Sequence, residues 1–187
     1  MPHPTLASLG GFTLTEMLAV LAASATLLSL GVPSMAGVLN STRVSSASSE
    51  LVASLMLTRN EAMKRHVRVV MCKSADGKTC TSLGTWQQGW IVFVDNNGDG
   101  ERAATEPLLQ SKLPLGSSLR FTATSPVAKY VSYSPSGATL LVGGGFQAGT
   151  VTVCSQSMGA TSARQVILSA GGRPRTQKVQ LPSCNPA

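Results

Sequence analysis

Gly11-Phe12-Thr13-Leu14-Thr15-Glu16 leads into a run, Met17 to Thr42, that holds no charged residue. As a helix rising about 1.5 Å per residue, that run is long enough to cross a bilayer. A secretory signal places its apolar stretch ahead of the cleavage site and loses it on processing. Here the small pair suited to cleavage, Gly10-Gly11, precedes the apolar stretch. A cut between Gly11 and Phe12 keeps the helix and gives Phe12 a free amine. Glu16 is the odd residue, because an unpaired carboxylate is costly in hydrocarbon. Two readings stand side by side: a carboxylate at the membrane interface beside the positive end of the helix dipole, or a partner for the amine that the cut creates.

Outward from this junction, the helical pattern continues from Arg43 to about Arg65 and turns amphipathic. Val44, Ala47, Leu51, Leu55 and Ala62 recur at helical spacing among Ser, Arg and Glu, which predicts a stripe that packs on a globular body. After Arg68 the pattern becomes short apolar runs separated by Gly, Pro and Asn. Strands are expected at 67–72, 86–95, 107–110, 118–122, 130–133, 139–142, 150–154, 164–168 and 176–181. The fold class is therefore α+β, a long N-terminal helix packed on antiparallel sheet. The expected segments are a leader (1–11), a membrane and assembly half of the helix (12–40), an amphipathic half (41–66), and a β-rich domain with a basic tail (67–187).

The junction resembles the signal of type IV pilins and pseudopilins, in which Gly, then Phe or Met, then TLxE precede an apolar helix. Five features of that pattern coincide here: Gly11, Phe12, Glu16, the apolar run and Pro33. The resemblance implies that a prepilin peptidase cuts after Gly11 and methylates Phe12, that Glu16 guides assembly, and that Pro33 kinks the helix. It also implies a single-pass inner-membrane protein with its globular part in the periplasm, later assembled into a pilus with other major and minor pilins. One feature departs from the pattern: such leaders carry Lys or Arg, and this one carries only His3. Further along, Trp86, Gly89-Trp90, the apolar run to Val94 and the Asp95 turn resemble the GspH/FimT branch of minor pilins and pseudopilins.

Four cysteines, Cys72, Cys80, Cys154 and Cys184, allow three pairings. Cys72 with Cys80 closes a short loop around the turn pair Asp76-Gly77, and Cys154 with Cys184 then ties the tail to the body. A zinc site is the rival, but no CxxC spacing occurs, and His3 and His66 are poorly placed for one. Disulfides put the body in an oxidising compartment.

The formal charge is +7, and all eight acids lie at or before Glu106. From Pro107 onward the charged residues are Lys112, Arg120, Lys129, Arg164, Arg173, Arg175 and Lys178. An acid-free basic half suits a polyanion partner or a merely solvated surface. No catalytic set is visible: His66 lacks a nucleophile partner, and Ser134-Pro135-Ser136-Gly137 is not a nucleophile elbow. Neither an enzyme nor a cofactor is expected. Asp95, Asn97, Asp99, Gly100 and Glu106 match the spacing of a calcium loop. They follow a strand instead of a helix, and Asp/Asn/Gly runs also serve plain hairpin turns.

The tail reads Gly171-Gly172-Arg173-Pro174-Arg175-Thr176-Gln177-Lys178. In an extended chain Arg173 and Arg175 point the same way, about 7 Å apart, near the spacing of successive phosphates on one nucleic-acid strand. Arginine offers paired donors to phosphate oxygens. A solvated hairpin with incidental charge is the plain alternative. Gly172-Arg173-Pro174-Arg175 matches the GRxR motif of FimT-type minor pilins, which implies Arg173 and Arg175 as DNA ligands in natural transformation (competence). Lys178 and Arg164 are further candidates, and Arg120 and Lys129 weaker ones. A structural minor pilin that primes the pilus, or a type II secretion pseudopilin, would need no DNA.

Overall fold

The computed structural model describes residues 11–156 and 161–184, apart from the side chains of 28–36. It falls into two compact units, one ending at Leu39 and one from Asn40 to Ala187. Gly10 and His3 of the leader lie outside the described residues.

Helix α1 spans Leu14–Arg65. Thr13 caps its start: the Glu16 backbone N–H donates to Thr13 Oγ1 (3.3 Å), which satisfies one of the donors every helix leaves free there. Its last turn carries Lys64 and Arg65, cations on the negative end of the dipole, and His66 stops it in a left-handed conformation (φ 55°). The helix runs through position 33, but the Pro33 side chain lies outside the described ones. Among the described residues, no helix is long and apolar enough to cross a membrane.

In the second unit the strands form two antiparallel sheets. β1 (Val69–Lys73), β2 (Trp90–Val94), β3 (Leu108–Lys112) and β5 (Tyr130–Tyr133) make one, in the order β3-β2-β1-β5. β4 (Leu119–Ala123), β6 (Gly149–Ser155), β7 (Thr161–Leu168) and β8 (Pro174–Leu181) make the other, in the order β4-β6-β7-β8. The helical stripe Val44, Ala47, Leu51, Leu55 and Ala62 is buried. It shares one core with Val69, Met71, Trp86, Trp90 and Val92 of the first sheet side and Phe121, Val153, Val166 and Leu168 of the second. Burying one such leucine side chain is worth about 1.5–3 kcal/mol.

Two expected strands differ. Trp86–Gln88 is a 3-10 turn, because Gly89, at φ 102°, bends the chain before β2. That bend brings both indoles into the core, edge to face at 6.4 Å, and Trp86 Nε1 donates to the Val127 carbonyl (3.0 Å). Residues 139–142 form only isolated bridges at Thr139 and Leu140, since Thr139 turns its hydroxyl and N–H to other loops.

Candidate functional site

At the N-terminal end, Gly11 and Phe12 precede the first helical residue and are exposed. The Gly11–Phe12 bond therefore lies in non-helical backbone just ahead of the Thr13 cap, open to an enzyme. In the sequence Glu16 stands out for its charge and for its place in the junction motif. Thr13 and Glu16 also have the spacing of a capping box, a signal that could have placed the helix start.

At the other end, the β7–β8 hairpin carries the two arginines. Its turn closes with Gly172 N–H donating to the Ser169 carbonyl (2.9 Å). Thr139, fully buried, meets the turn from below: its N–H donates to the Ala170 carbonyl (3.1 Å), while its hydroxyl donates to the Gln147 carbonyl (2.6 Å) with the Ser169 carbonyl at 3.1 Å. Gly172 is buried at φ 77°, and a Cβ there would lie 2.0 Å from the Gly137 carbonyl oxygen. That same carbonyl accepts a hydrogen bond from Arg59 Nε of α1 (2.9 Å). Arg173 and Arg175 follow at once, and both are exposed. Neither has an ion-pair partner among the described residues.

Beyond the arginines, β8 is held at its far end. The Cys154–Cys184 disulfide crosses from β6, over Ala163 of β7, to the chain just past β8. The second disulfide joins Cys72 and Cys80.

The remaining candidates fall elsewhere. Arg164 stands directly opposite Lys178 across β7 and β8, so the two share a face, and together with Ser41, Thr42 and Val44–Ser46 of α1 they line a hollow of about 300 Å³. Arg175 stands opposite Ile167. Strand alternation therefore puts Arg175 on the opposite face from Lys178. Arg120 and Lys129 line a separate groove with Lys73. Arg173 and Arg175 thus lie exposed at the hairpin turn, Arg164 shares a face with Lys178, and Arg120 and Lys129 stand apart from both.

The calcium-spaced loop is occupied by its own backbone. Asp95 is buried; it accepts N–H groups from Gly98 (2.8 Å) and Gly100 (3.1 Å). Glu106 accepts those of Asn96 (2.8 Å) and Ala103 (2.9 Å). Asn97 and Asp99 bond to each other (2.8 Å). Burial pushes the Asp95 carboxyl upward, against the pull of those two N–H groups. Among the described residues, no group of three or more His, Cys, Asp or Glu is placed to hold a metal ion.

Residues 47–172 match the family described as type II transport protein GspH. Among solved structures, the Pseudomonas aeruginosa (strain PAO1) type IV minor pilin FimU is similar in fold. One crystal form has a TM-score of 0.57 at 20% identity, covering 77% of this chain and 96% of that one. A second has a TM-score of 0.51 at 20% identity, covering 75% and 99%. No curated protein matches the chain.

Proposed function

Because the chain belongs to the GspH family of pilin-like proteins, we propose that it is a minor type IV pilin that binds DNA through Arg173 and Arg175 and supports DNA uptake in natural transformation. The observation that carries this reading is the hairpin turn. Two exposed arginines, without carboxylate partners among the described residues, sit beside a turn tied to Thr139 N–H through the Ala170 carbonyl and fitted closely at Gly172 against Gly137. The turn fixes the backbone from which both cations project, and arginine meets phosphate with two donors at once. Contacts of this kind go to the backbone and carry no base sequence.

The rest of the proposal follows the N-terminal end. The precursor is cut between Gly11 and Phe12 by a prepilin peptidase, Phe12 is methylated, and Glu16 meets the new amine during assembly with other pilins. Residues 12–40 hold the subunit in the inner membrane, with the globular unit in the periplasm, before it enters an extracellular pilus.

The test is DNA binding by the full chain in detergent, followed by anisotropy of a labelled duplex. Changing Arg173→Ala and Arg175→Ala together should weaken binding about tenfold or more, a loss of about 1.4 kcal/mol. Unchanged affinity would show that the tail is not the DNA site. The family's description favours a second reading, a type II secretion pseudopilin whose partners are other pseudopilins. Deleting the gene separates the two: loss of transformation supports the first, and loss of protein export with normal transformation supports the second.

A further inference from the structure

β4 is the outer strand of its sheet, and its free edge borders a groove. The bonds at its two ends fix which way its backbone points. Thr124 N–H donates to the Thr150 carbonyl (3.0 Å), and Gln156 N–H donates to the Ser118 carbonyl (2.8 Å). With the register Arg120↔Cys154 and Thr122↔Thr152, the even-numbered residues of β4 bond to β6. Phe121 and Ala123 therefore turn their N–H and C=O groups outward. Leu119, the other outward residue, gives its N–H to the Gly116 carbonyl (3.1 Å), whereas Phe121 and Ala123 have no partner for theirs among the described residues.

The groove beside this edge encloses about 570 Å³, within the range of about 300–1,000 Å³ for ligand pockets. Its charged lining is Lys73, Arg120 and Lys129, with no carboxylate. Lys73 is only 3% exposed. Its ammonium donates to the Ser82 (3.0 Å) and Gly84 (2.8 Å) carbonyls and has no acid partner among the described residues. Burial, and then the nearby Lys129, push its pKa down. A buried cation without a counter-ion is costly, and here it borders an open groove.

We infer that this groove receives an extended, carboxylate-bearing segment of another protein subunit, which pairs with Phe121 and Ala123 as an added strand and sets its acid among Lys73, Arg120 and Lys129. The two requirements come from different atoms. The outward N–H and C=O pairs, about 7 Å apart on the edge, match the repeat of a peptide backbone. A nucleic acid has no such alternation of donors and acceptors. The three cations then select which peptide binds, because a strand without acids leaves Lys73 uncompensated.

A fluorescein-labelled hexapeptide alternating valine and glutamate is the probe, titrated against the full chain in detergent. It should bind saturably. Glutamine in place of glutamate should cost about tenfold or more, and so should N-methylation of alternate amides. Arg120→Gln with Lys129→Gln should reduce binding by a similar factor, while Arg173→Ala with Arg175→Ala should leave it unchanged. This last arm keeps the groove separate from the tail: the tail reading can fail while the groove reading stands, and the reverse. Three results would overturn the inference, and the first two need no altered protein. One is equal binding of the glutamine peptide. Another is indifference to N-methylation, which would make the groove a simple anion site. The third is displacement of the peptide by a short DNA duplex from the Arg173→Ala, Arg175→Ala variant.

Discussion

Gly172 shows how much one residue can carry in this tail. It has a left-handed φ of 77°, and an added Cβ would meet the Gly137 carbonyl oxygen at 2.0 Å and Tyr133 Cε1 at 3.0 Å. Neither neighbour is free to yield. The carbonyl is also bonded to Arg59, and Tyr133 is fully buried. Gly171, one residue earlier, has only Ser169 Oγ within 4.0 Å of a Cβ. Gly172→Ala should therefore destabilise the protein by about 1–3 kcal/mol, and Gly171→Ala should cost far less. Thermal unfolding of both variants measures this. The same comparison bears on binding, because Gly172→Ala leaves both arginines in place but disturbs the turn that presents them. It should weaken DNA binding where Gly171→Ala does not. Equal melting temperatures for the two would show that the Gly137 contact does not hold the turn. In the GRxR motif, then, the glycine serves the fold, and the proposed ligand role falls to the arginines alone.

At the scale of elements, the loop closed by Cys72 and Cys80 is organised by Asp76. One carboxylate oxygen accepts the N–H groups of Lys78 and Thr79, each at 2.8 Å, and the other accepts the Thr79 hydroxyl (2.7 Å). The Thr79 and Lys78 N–H groups are the main reason its pKa falls well below the ordinary 3.8. A depressed folded value means the contribution is complete above that ordinary value and is lost as pH falls through the folded one. Asp76→Asn should lower the melting temperature at neutral pH, and the gap should close in strong acid. A gap that stays constant far below pH 3.8 would rule out this role. The turn at Asp76-Gly77 was legible because its residues make the turn locally. Helix α1 was legible for a similar reason: Val44, Ala47, Leu51, Leu55 and Ala62 keep helical spacing and all are buried. The 3-10 turn at Trp86 was not, because aromatic and apolar residues there read as strand, and the bend depends on Gly89 approaching the Lys112 carbonyl. Nor could periodicity divide the strands between two sheets. That division rests on pairings such as Phe121↔Val153, between residues far apart in the chain.

Across the whole molecule, the acid-free C-terminal half was visible in the sequence, but its division was not. Lys112 pairs with Glu50 of α1 (3.1 Å) and is spent on the fold. The rest separate into the hairpin turn, the Arg164–Lys178 face and the β4 groove, because residues adjacent in sequence alternate faces on a strand. For DNA this division matters less than it first suggests. β8 is an outer strand, and Arg175, Thr176, Gln177 and Lys178 are all exposed. In the proposed reading, a phosphate backbone running along that edge meets Arg173, Arg175 and Lys178 from both faces, and Arg164 of β7 adds a fourth cation on the Lys178 face. Each neutralised phosphate adds about −0.9 to the slope of log affinity against log salt on duplex DNA. Three or four contacts predict a slope of about −3 to −4, and the arginine pair alone would give about −2. Lys178→Ala should then make the slope shallower by about 1, and Arg173→Ala with Arg175→Ala by about 2. If Lys178→Ala leaves the slope unchanged, DNA lies on the arginine face alone and the edge-on geometry is wrong. An arginine variant that keeps the parent's slope would instead move the DNA site away from β8 altogether.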